Sequence, residues 1–437
     1  METPEVTMRL AVFTGQFPSR VSTFFARDMR GLVEAGVSLE IFPLYPSDEN
    51  LWRYVPDILN ADALPRDRVH HRPLSAAWRA RTRSAPGGAS RFVAEAFSAG
   101  FASMPGGFTS VAKTAYALAK AWTWAGEFAN RFDHILAYWG NYAATAALAF
   151  HRLTGSAIPV SMFLHAGTDL YRRPIQLRKK LLSVTNVITV CEFNRRYVEE
   201  LYPDLRERLS AKFYIHHPGL DFSGIAFTPA KRPGDRLLAV GSLEKPKGFE
   251  VLLAALAILR RQRPEITLDL IGDGPQAGAL RRLALREGIA DRVHFRGWLT
   301  ADEVQKAMGE ATILVHPSSG LGDAVPTVIK EALAVGTPVV ASSVAGIPEL
   351  LADGRCGVLV PPRDPRRLAQ TVAELLQSAP RRAELAQAGR AHAEATFDLW
   401  RNGQRLADRL LSTTRSAPSQ AREGRPPLGR SASESSR

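Results

Sequence analysis

Short apolar runs alternate with longer amphipathic stretches along most of the chain, without hairpin signals between them. An apolar run of four to eight residues fits a strand buried on both faces, and an amphipathic stretch fits a helix laid across it. The alternation predicts an α/β protein with parallel sheets. In the first half the predicted strands are 8–13, 37–44, 134–138, 159–164 and 187–190, and the predicted helices are 23–34, 142–153 and 175–182. In the second half the predicted strands are 236–240, 267–272, 293–296, 313–317, 338–341 and 357–360. The helices between them are 249–260, 277–286, 301–308, 327–335 and 365–377.

Three segments interrupt the rhythm. Residues 75–130 are rich in Ala, Arg, Ser and Gly, with a helical period around 92–101 and 111–128. They read as a helical insertion where a greasy partner could dock. The pattern breaks again at HPGLDF (217–222), and 228–235 is rich in proline and charge, which places a domain junction there. Beyond about residue 412 the chain is Ser-, Pro-, Arg- and Gly-rich without apolar periodicity, so 413–437 is expected to be disordered. The expected organisation is a first Rossmann-like domain, 1–223, completed by a C-terminal helix at 396–412, and a second, 224–395. Two such doubly wound domains should face a cleft, with ligands at the carboxyl ends of their strands.

Composition sharpens this picture in three places. No apolar run approaches the roughly 18 residues of a membrane-spanning helix. The start, METPEVTMRLAVFTG, lacks a basic segment ahead of an apolar one, so it reads as a polar lead into a strand and not as a secretion signal. The two cysteines, Cys191 and Cys356, give neither a disulfide framework nor zinc spacing, and suit a reducing cytoplasm. The net charge of +13 implies attraction to something anionic, or simply solvated basic faces. Two basic groups stand out: Arg79, Arg81 and Arg83, and Arg172, Arg173, Arg178, Lys179 and Lys180. Neither interleaves with aromatic residues, which argues against nucleic acid and leaves an anionic membrane surface as the alternative to a plain solvated face.

The candidate chemistry lies in HPSSGLGDAVPTVIKEALAVGTPVVAS, residues 316–342. Pro326 and Thr327 open a helix after a polar loop, and Gly336 and Pro338 close it. Asp323 stands ahead of that helix and Glu331 on it. Eight residues of helix span about 12 Å. Paired glycosidase carboxylates stand only about 5 to 9.5 Å apart, so these two suit opposite ends of one long ligand. A nucleotide sugar has that length. The free N–H groups and positive dipole end around Ala324, Val325, Pro326 and Thr327 would receive its diphosphate.

Two further elements precede this one. In VGSLEKPKGFE (240–250) a strand ends at Gly241, and Ser242, Lys245 and Lys247 lead through Gly248 into a helix. A lysine on such a loop can neutralise a phosphate, although a turn with solvated lysines fits equally. In LIGDGPQAGAL (270–280) Gly272 and Gly274 sit between strand and helix, but the third glycine, Gly278, comes one residue late for a dinucleotide fingerprint, and a tight turn is the simpler reading.

In this order and spacing, the elements resemble glycosyltransferase family 4. The matching positions are Gly241; Lys247 with Gly248; Gly272 to Pro275; Val293, Phe295 and Gly297; Asp323 and Glu331; and Gly336 with Pro338 to Val340, covering about 236–395. In the first half FPSRVSTFF (17–25), AYWGNYAATAA (137–147), FLHAGTDLY (163–171) and TVCEFNRRY (189–197) are similar to the exopolysaccharide branch of that family, of the colanic acid and amylovoran type. The resemblance spans about residues 8–412 without the helical insertion.

It implies a GT-B fold and a retaining, metal-independent hexosyltransferase that takes a nucleotide sugar as substrate and needs no cofactor. The first domain would be the acceptor side and the second the donor side. The catalytic set would be His165, Asp323 and Lys247. Glu331 would hold the ribose, Lys247 the diphosphate, Asp323 the sugar hydroxyls and His165 the sugar or its phosphate. Gly15, in the first loop, would lie against phosphate, and Trp298 near the base through its backbone. Gly241, Ser242, Gly248 and Gly274 would line the donor. The implied acceptor is a lipid-linked oligosaccharide or glycan, and the implied place is the cytoplasm at the inner face of the cell membrane, with no role for nucleic acid. Three positions depart from the family: Ser242 replaces its phosphate-binding arginine, Asp323 its first glutamate, and Thr23 the glutamate of the branch. A nucleotide-sugar epimerase on the same scaffold and a catalytically impaired nucleotide-sugar-binding protein are the alternatives.

Overall fold

The computed structural model describes residues 7–19, 23–46, 48, 51–52, 66–73, 90, 93, 99, 103–155, 157–229 and 234–416. They fall into two compact units. The first lies within Met1–Val190, Arg195–Gly219 and Leu399–Arg437, and the second within Cys191–Asn194 and Leu220–Asp398. Apart from the four residues Cys191–Asn194, the chain passes between units at 219/220 and 398/399, where 223/224 and 395/396 were expected. The cause is local pairing: the Leu220 N–H donates to the Phe397 carbonyl at 2.7 Å, and Leu220 bridges Asp398, so the two passages run together.

The first unit carries six parallel strands: β1 (Met8–Gln16), β2 (Val37–Tyr45), β3 (His134–Ala137), β4 (Val160–Leu164), β5 (Asn186–Thr189) and β6 (Phe213–Ile215), ordered β2-β1-β3-β4-β5-β6. Helices α1 (Thr23–Glu34), α2 (Gly107–Phe128), α3 (Tyr142–Thr154), α4 (Leu177–Ser183), α5 (Glu192–Leu201) and α6 (Arg206–Ser210) connect them. β3, β4 and β5 are buried along their whole length, and within them His134, Ser161 and Asn186 bond one another or α14 (Leu399–Arg415) instead of solvent. β6 has three residues, too few for any period to show.

The region read as an insertion is corrected here. Over its described part, α2 is the crossover from β2 over β1 to β3, which a parallel sheet requires. Its Trp124 is fully buried and meets Phe13 and Phe42 edge-on, with ring centroids 5.7 and 5.5 Å apart. The stretch 92–101 lies mostly outside the described residues.

The second unit repeats the plan with β7 (Arg236–Val240), β8 (Thr267–Ile271), β9 (Val293–Gly297), β10 (Ile313–His316), β11 (Val339–Ser342) and β12 (Val358–Val360), ordered β12-β11-β10-β7-β8-β9. Helices α7 (Phe249–Arg260), α8 (Ala277–Arg286), α9 (Ala301–Glu310), α10 (Thr327–Val335), α11 (Ile347–Leu350), α12 (Pro365–Gln377) and α13 (Ala379–Thr396) cover it. Strand order reverses between β7 and β10, and in open α/β sheets that is where ligands bind. The fold is GT-B, two doubly wound α/β domains.

The last helix, α14 (Leu399–Arg415), returns to the first unit and packs on α1. Two glycines permit it: a β-carbon on Gly403 would lie 2.6 Å from the Gly31 carbonyl carbon. α14 includes residues 413–415, which correct the start of the expected disordered tail; residues 417–437 lie outside the described set. Among the described residues no helix is long and apolar enough to cross a membrane.

Candidate functional site

In the second unit the loops after β7 and β10 are stitched together at the switch point. The Pro246 carbonyl accepts from the Ser319 N–H at 2.9 Å and the Ser318 hydroxyl at 3.1 Å. Gly248, at φ 68°, adopts a conformation that only glycine takes without strain. It also faces Pro317, whose carbonyl oxygen would lie 2.1 Å from any β-carbon added there. The turn Lys245–Lys247 is thereby pressed against the chain leading to α10.

Three side chains meet on this platform. Lys247 Nζ donates to Asp323 Oδ1 at 2.7 Å, and His316 Nε2 bonds Asp323 Oδ2 at 2.6 Å. Asp323 is 9% exposed and His316 2%, while the Lys247 side chain keeps 22% of its surface open. Burial alone would raise the Asp323 carboxyl, but His316 and then Lys247 outweigh it and hold the group well below the usual carboxylate range. The carboxylate is ionised and both its oxygens are engaged. Directly after it, Pro326 caps α10 in extended conformation without a side-chain bond. The first N–H groups of that helix have no intrahelical acceptor. An ammonium from the loop after β7 and a carboxylate from the loop after β10 therefore meet at the carboxyl end of the sheet, with the start of α10 closely following the carboxylate in the chain.

In the first unit, His165 follows β4 and is 7% exposed. Its Nε2–H donates to the Tyr138 carbonyl at 2.9 Å, and its ring stacks on Phe163 with centroids 5.1 Å apart. Burial pushes its pKa down to about 4, against partial opposition from Asp28. The imidazole is neutral near neutral pH and brings no charge to a phosphate. Asp169 and Lys180 clamp the turn after β3 from both sides. Asp169 accepts backbone bonds at Gly140, His165 and Asn141, and Lys180 Nζ donates to the carbonyls of Gly140 and Asn141 at 2.9 and 2.6 Å. Below His165, Tyr138 Oη donates to Asp28 Oδ2 at 2.5 Å, and His216 Nε2 lies 3.1 Å from Asp28 Oδ1.

Residues 234–378 match the family model of glycosyl transferases group 1. The matched stretch runs from just ahead of β7 through α12. Over 255 residues the chain is 31% identical to the GDP-mannose-dependent alpha-(1-6)-phosphatidylinositol monomannoside mannosyltransferase of Mycolicibacterium smegmatis, covering 55% of this chain and 66% of that one. It is 32% identical over 172 residues to the putative colanic acid biosynthesis glycosyltransferase WcaL of Escherichia coli, covering 38% of this chain and 42% of that one. The chain thus spans about two fifths to two thirds of these curated relatives. The crystal structure of Anabaena Alr3699/HepE in complex with UDP and glucose has a TM-score of 0.67 and 17% identity, covering 93% of this chain and 100% of that one.

The second unit brings Gly241, Lys247, Gly248 and Asp323 to one place. A β-carbon on Gly241 would lie 3.9 Å from the Lys247 stem. Ser242 is half-buried beside it. Gly274 serves the loop itself, since a β-carbon there would lie 2.8 Å from the Leu243 carbonyl oxygen. Trp298 is 52% exposed after edge strand β9. Ala324 and Pro326 are buried, and Val325, Thr327 and Glu331 are half-buried. Pro326 has no N–H, so it is removed from the expected diphosphate donors. In the other unit Gly15 lies within β1 and not in a loop, with open space where a β-carbon would point.

Sequence reasoning passed over His316, Asp28, Tyr138, Asp169 and His216 as functional positions, and it placed Lys180, which is buried, in a solvated or membrane-facing basic run. Two left a signal. His316 ends an otherwise apolar strand, ILVH, and Asp28 occupies a core position of α1 with Phe25, Met29 and Leu32.

Proposed function

We propose that the protein is a retaining glycosyltransferase that moves a hexosyl group from a nucleotide sugar to a lipid-linked or polysaccharide acceptor in cell-surface polysaccharide assembly. The observation that carries this reading is Lys247 set on Asp323 immediately ahead of the uncapped start of α10. An anion with sugar attached is the ligand this loop complements: cation and amides for the diphosphate, carboxylates for hydroxyls. The relatives support the class, since the Escherichia coli one is a putative colanic acid biosynthesis glycosyltransferase.

In the proposed reaction the bond from the anomeric carbon to the diphosphate breaks, and a bond to the acceptor oxygen forms on the same face. The acceptor proton passes to the leaving phosphate. Lys247 and the N–H groups of Val325, Thr327 and Val328 stabilise the departing charge in place of a metal. Gly241, Ser242, Gly248 and Gly274 shape the donor loop, Gly15 admits phosphate, Glu331 accepts from the ribose, and Trp298 borders the base. His165, being neutral, serves the donor sugar through hydrogen bonding. We place the protein at the inner face of the cell membrane, on the strength of its exposed basic run at Arg172, Arg173 and Arg178 and the 89% exposed Phe108.

A thermal-shift screen against a panel of nucleotide sugars tests class and donor together, followed by incubation with and without a lipid-linked acceptor. Transfer to the acceptor is the expected outcome. An isomerised sugar from donor alone would show an epimerase, and binding without turnover an impaired binding protein.

A further inference from the structure

His316 is a polar residue at the end of a strand whose other members are Ile313, Leu314 and Val315, all fully buried. A buried polar side chain left without a partner costs about 1–3 kcal/mol. His316 avoids that cost at Asp323 Oδ2, 2.6 Å from its Nε2. An ionised carboxylate can only accept, so Nε2 bears the proton. The other carboxylate oxygen is taken by Lys247, whose long, partly exposed side chain can swing away.

We infer that His316 is a positioning residue that keeps Asp323 anchored by Oδ2 while Lys247 is handed from Oδ1 to the arriving diphosphate. The inference rests on the glycosyl-transfer reading of the site. Two anions compete for one ammonium. When the diphosphate takes Lys247, a buried carboxylate would be stranded unless something else holds it, and His316 is that second hold. Oδ1 is then released toward a sugar hydroxyl. The arrangement couples donor arrival to the freeing of the carboxylate.

The experiment measures calorimetric affinities of UDP and GDP, which carry the diphosphate without sugar, and of UMP and GMP as controls. Wild type is compared with His316→Leu and His316→Gln. Leucine suits the apolar strand but bonds nothing, whereas the glutamine amide can still donate. The expected result is diphosphate affinity at least tenfold weaker in His316→Leu, equivalent to about 1.4 kcal/mol. Monophosphate affinity should be unchanged, and His316→Gln should stay within about threefold of wild type. Unchanged diphosphate affinity in the leucine variant overturns the inference. So does equal loss for mono- and diphosphates, which marks a merely structural role, or a glutamine variant no better than leucine. Should His316→Leu not fold, Asp323→Asn reads the same exchange: removing the competing charge frees Lys247 and tightens UDP or GDP binding several-fold, and weaker or unchanged binding overturns the hand-over. If wild type binds none of the four nucleotides, the glycosyl-transfer reading itself fails, and the inference with it.

Discussion

Gly248 sits against Pro317 so closely that a β-carbon at 248 would lie 2.1 Å from the Pro317 carbonyl oxygen. Backbone meets backbone there, and neither side can yield as a flexible side chain would. This contact locks the lysine-bearing turn to the chain that leads into α10, and so fixes Lys247 over Asp323.

Gly248→Ala should therefore damage the site through geometry alone. The substitution forces alanine into a left-handed conformation costing about 1–2 kcal/mol and adds an overpacking cost of about 1–3 kcal/mol. We expect the second unit to unfold at lower denaturant concentration and nucleotide affinity to fall more than tenfold, in proportion to the displaced lysine. Urea unfolding and calorimetry on the same preparation check both. An alanine variant with wild-type stability would show that the loop relaxes freely and does not set the position of Lys247.

Lys247 and Glu331 should separate kinetically. Glu331→Gln removes a charged acceptor for ribose hydroxyls, and bonds to charged groups are worth about 1.5–3 kcal/mol, so donor affinity should weaken by about ten- to a hundredfold. Lys247→Met keeps the stem and removes the charge. The lysine leaves Asp323 for the arriving diphosphate, so part of its effect appears already in ground-state binding. Its value grows as the diphosphate departs. We expect kcat to fall more than KM rises. Calorimetry reads the first variant and steady-state kinetics the second. A Lys247 variant altered in KM alone would contradict the charge-stabilising role.

What the sequence revealed followed from how local each signal was. The helices at Thr23–Glu34, Phe249–Arg260, Ala277–Arg286, Thr327–Val335 and Pro365–Gln377 match their predicted limits because start and stop residues and apolar period agree within each. Asp323 and Lys247 were legible because loop residues between strand and helix have few structural duties there. Their pairing across 76 residues was not legible, nor was His316 as the third member, since nothing local distinguishes a strand-end histidine that bonds a carboxylate from one that merely fills space. The segment 111–128 was legible as a helix, but not as the crossover from β2 to β3, because which strands a helix joins is set by the sheet order and not by the helix's own residues. The Asp169–Lys180 clamp was invisible for a further reason: a charged group buried against backbone and a solvated one look alike in sequence.

The return of α14 to the first unit depends on Gly403 meeting Gly31. Gly403→Val would put a branched side chain where even its β-carbon would lie 2.6–2.7 Å from the backbone atoms of Gly31. The helices must separate, exposing Leu399, Leu406 and Leu410, which are now buried. We expect a loss of about 1–3 kcal/mol and early proteolytic release of a C-terminal fragment. Limited proteolysis with mass spectrometry checks this. A variant whose C-terminal helix stays as protected as in wild type would mean that the crossing does not depend on glycine.

Acid should weaken the first unit through two buried imidazoles. His134 is held between Thr414 Oγ1 at 2.9 Å and Ser161 Oγ at 2.8 Å, and His165 donates to the Tyr138 carbonyl. Burial lowers His134 to about 3 and His165 to about 4, against about 6.5 in an unfolded chain. Both folded-state values are depressed. The stability carried by the neutral rings is therefore complete above pH 6.5, and it is lost as pH falls through 6.5 toward 4 and then 3. Between about pH 6 and 4 the unfolded chain binds up to two extra protons through these rings, a slope approaching about 2.7 kcal/mol per pH unit before carboxylates contribute. His134→Gln keeps a hydrogen-bonding side chain but cannot titrate, so the slope should flatten by about one proton while neutral-pH stability falls modestly. Urea unfolding at half-unit pH intervals measures the slope directly. If wild type and His134→Gln lose stability in parallel between pH 6 and 4, His134 is not buried as a neutral ring and the contact with α14 through Thr414 is not what holds it so.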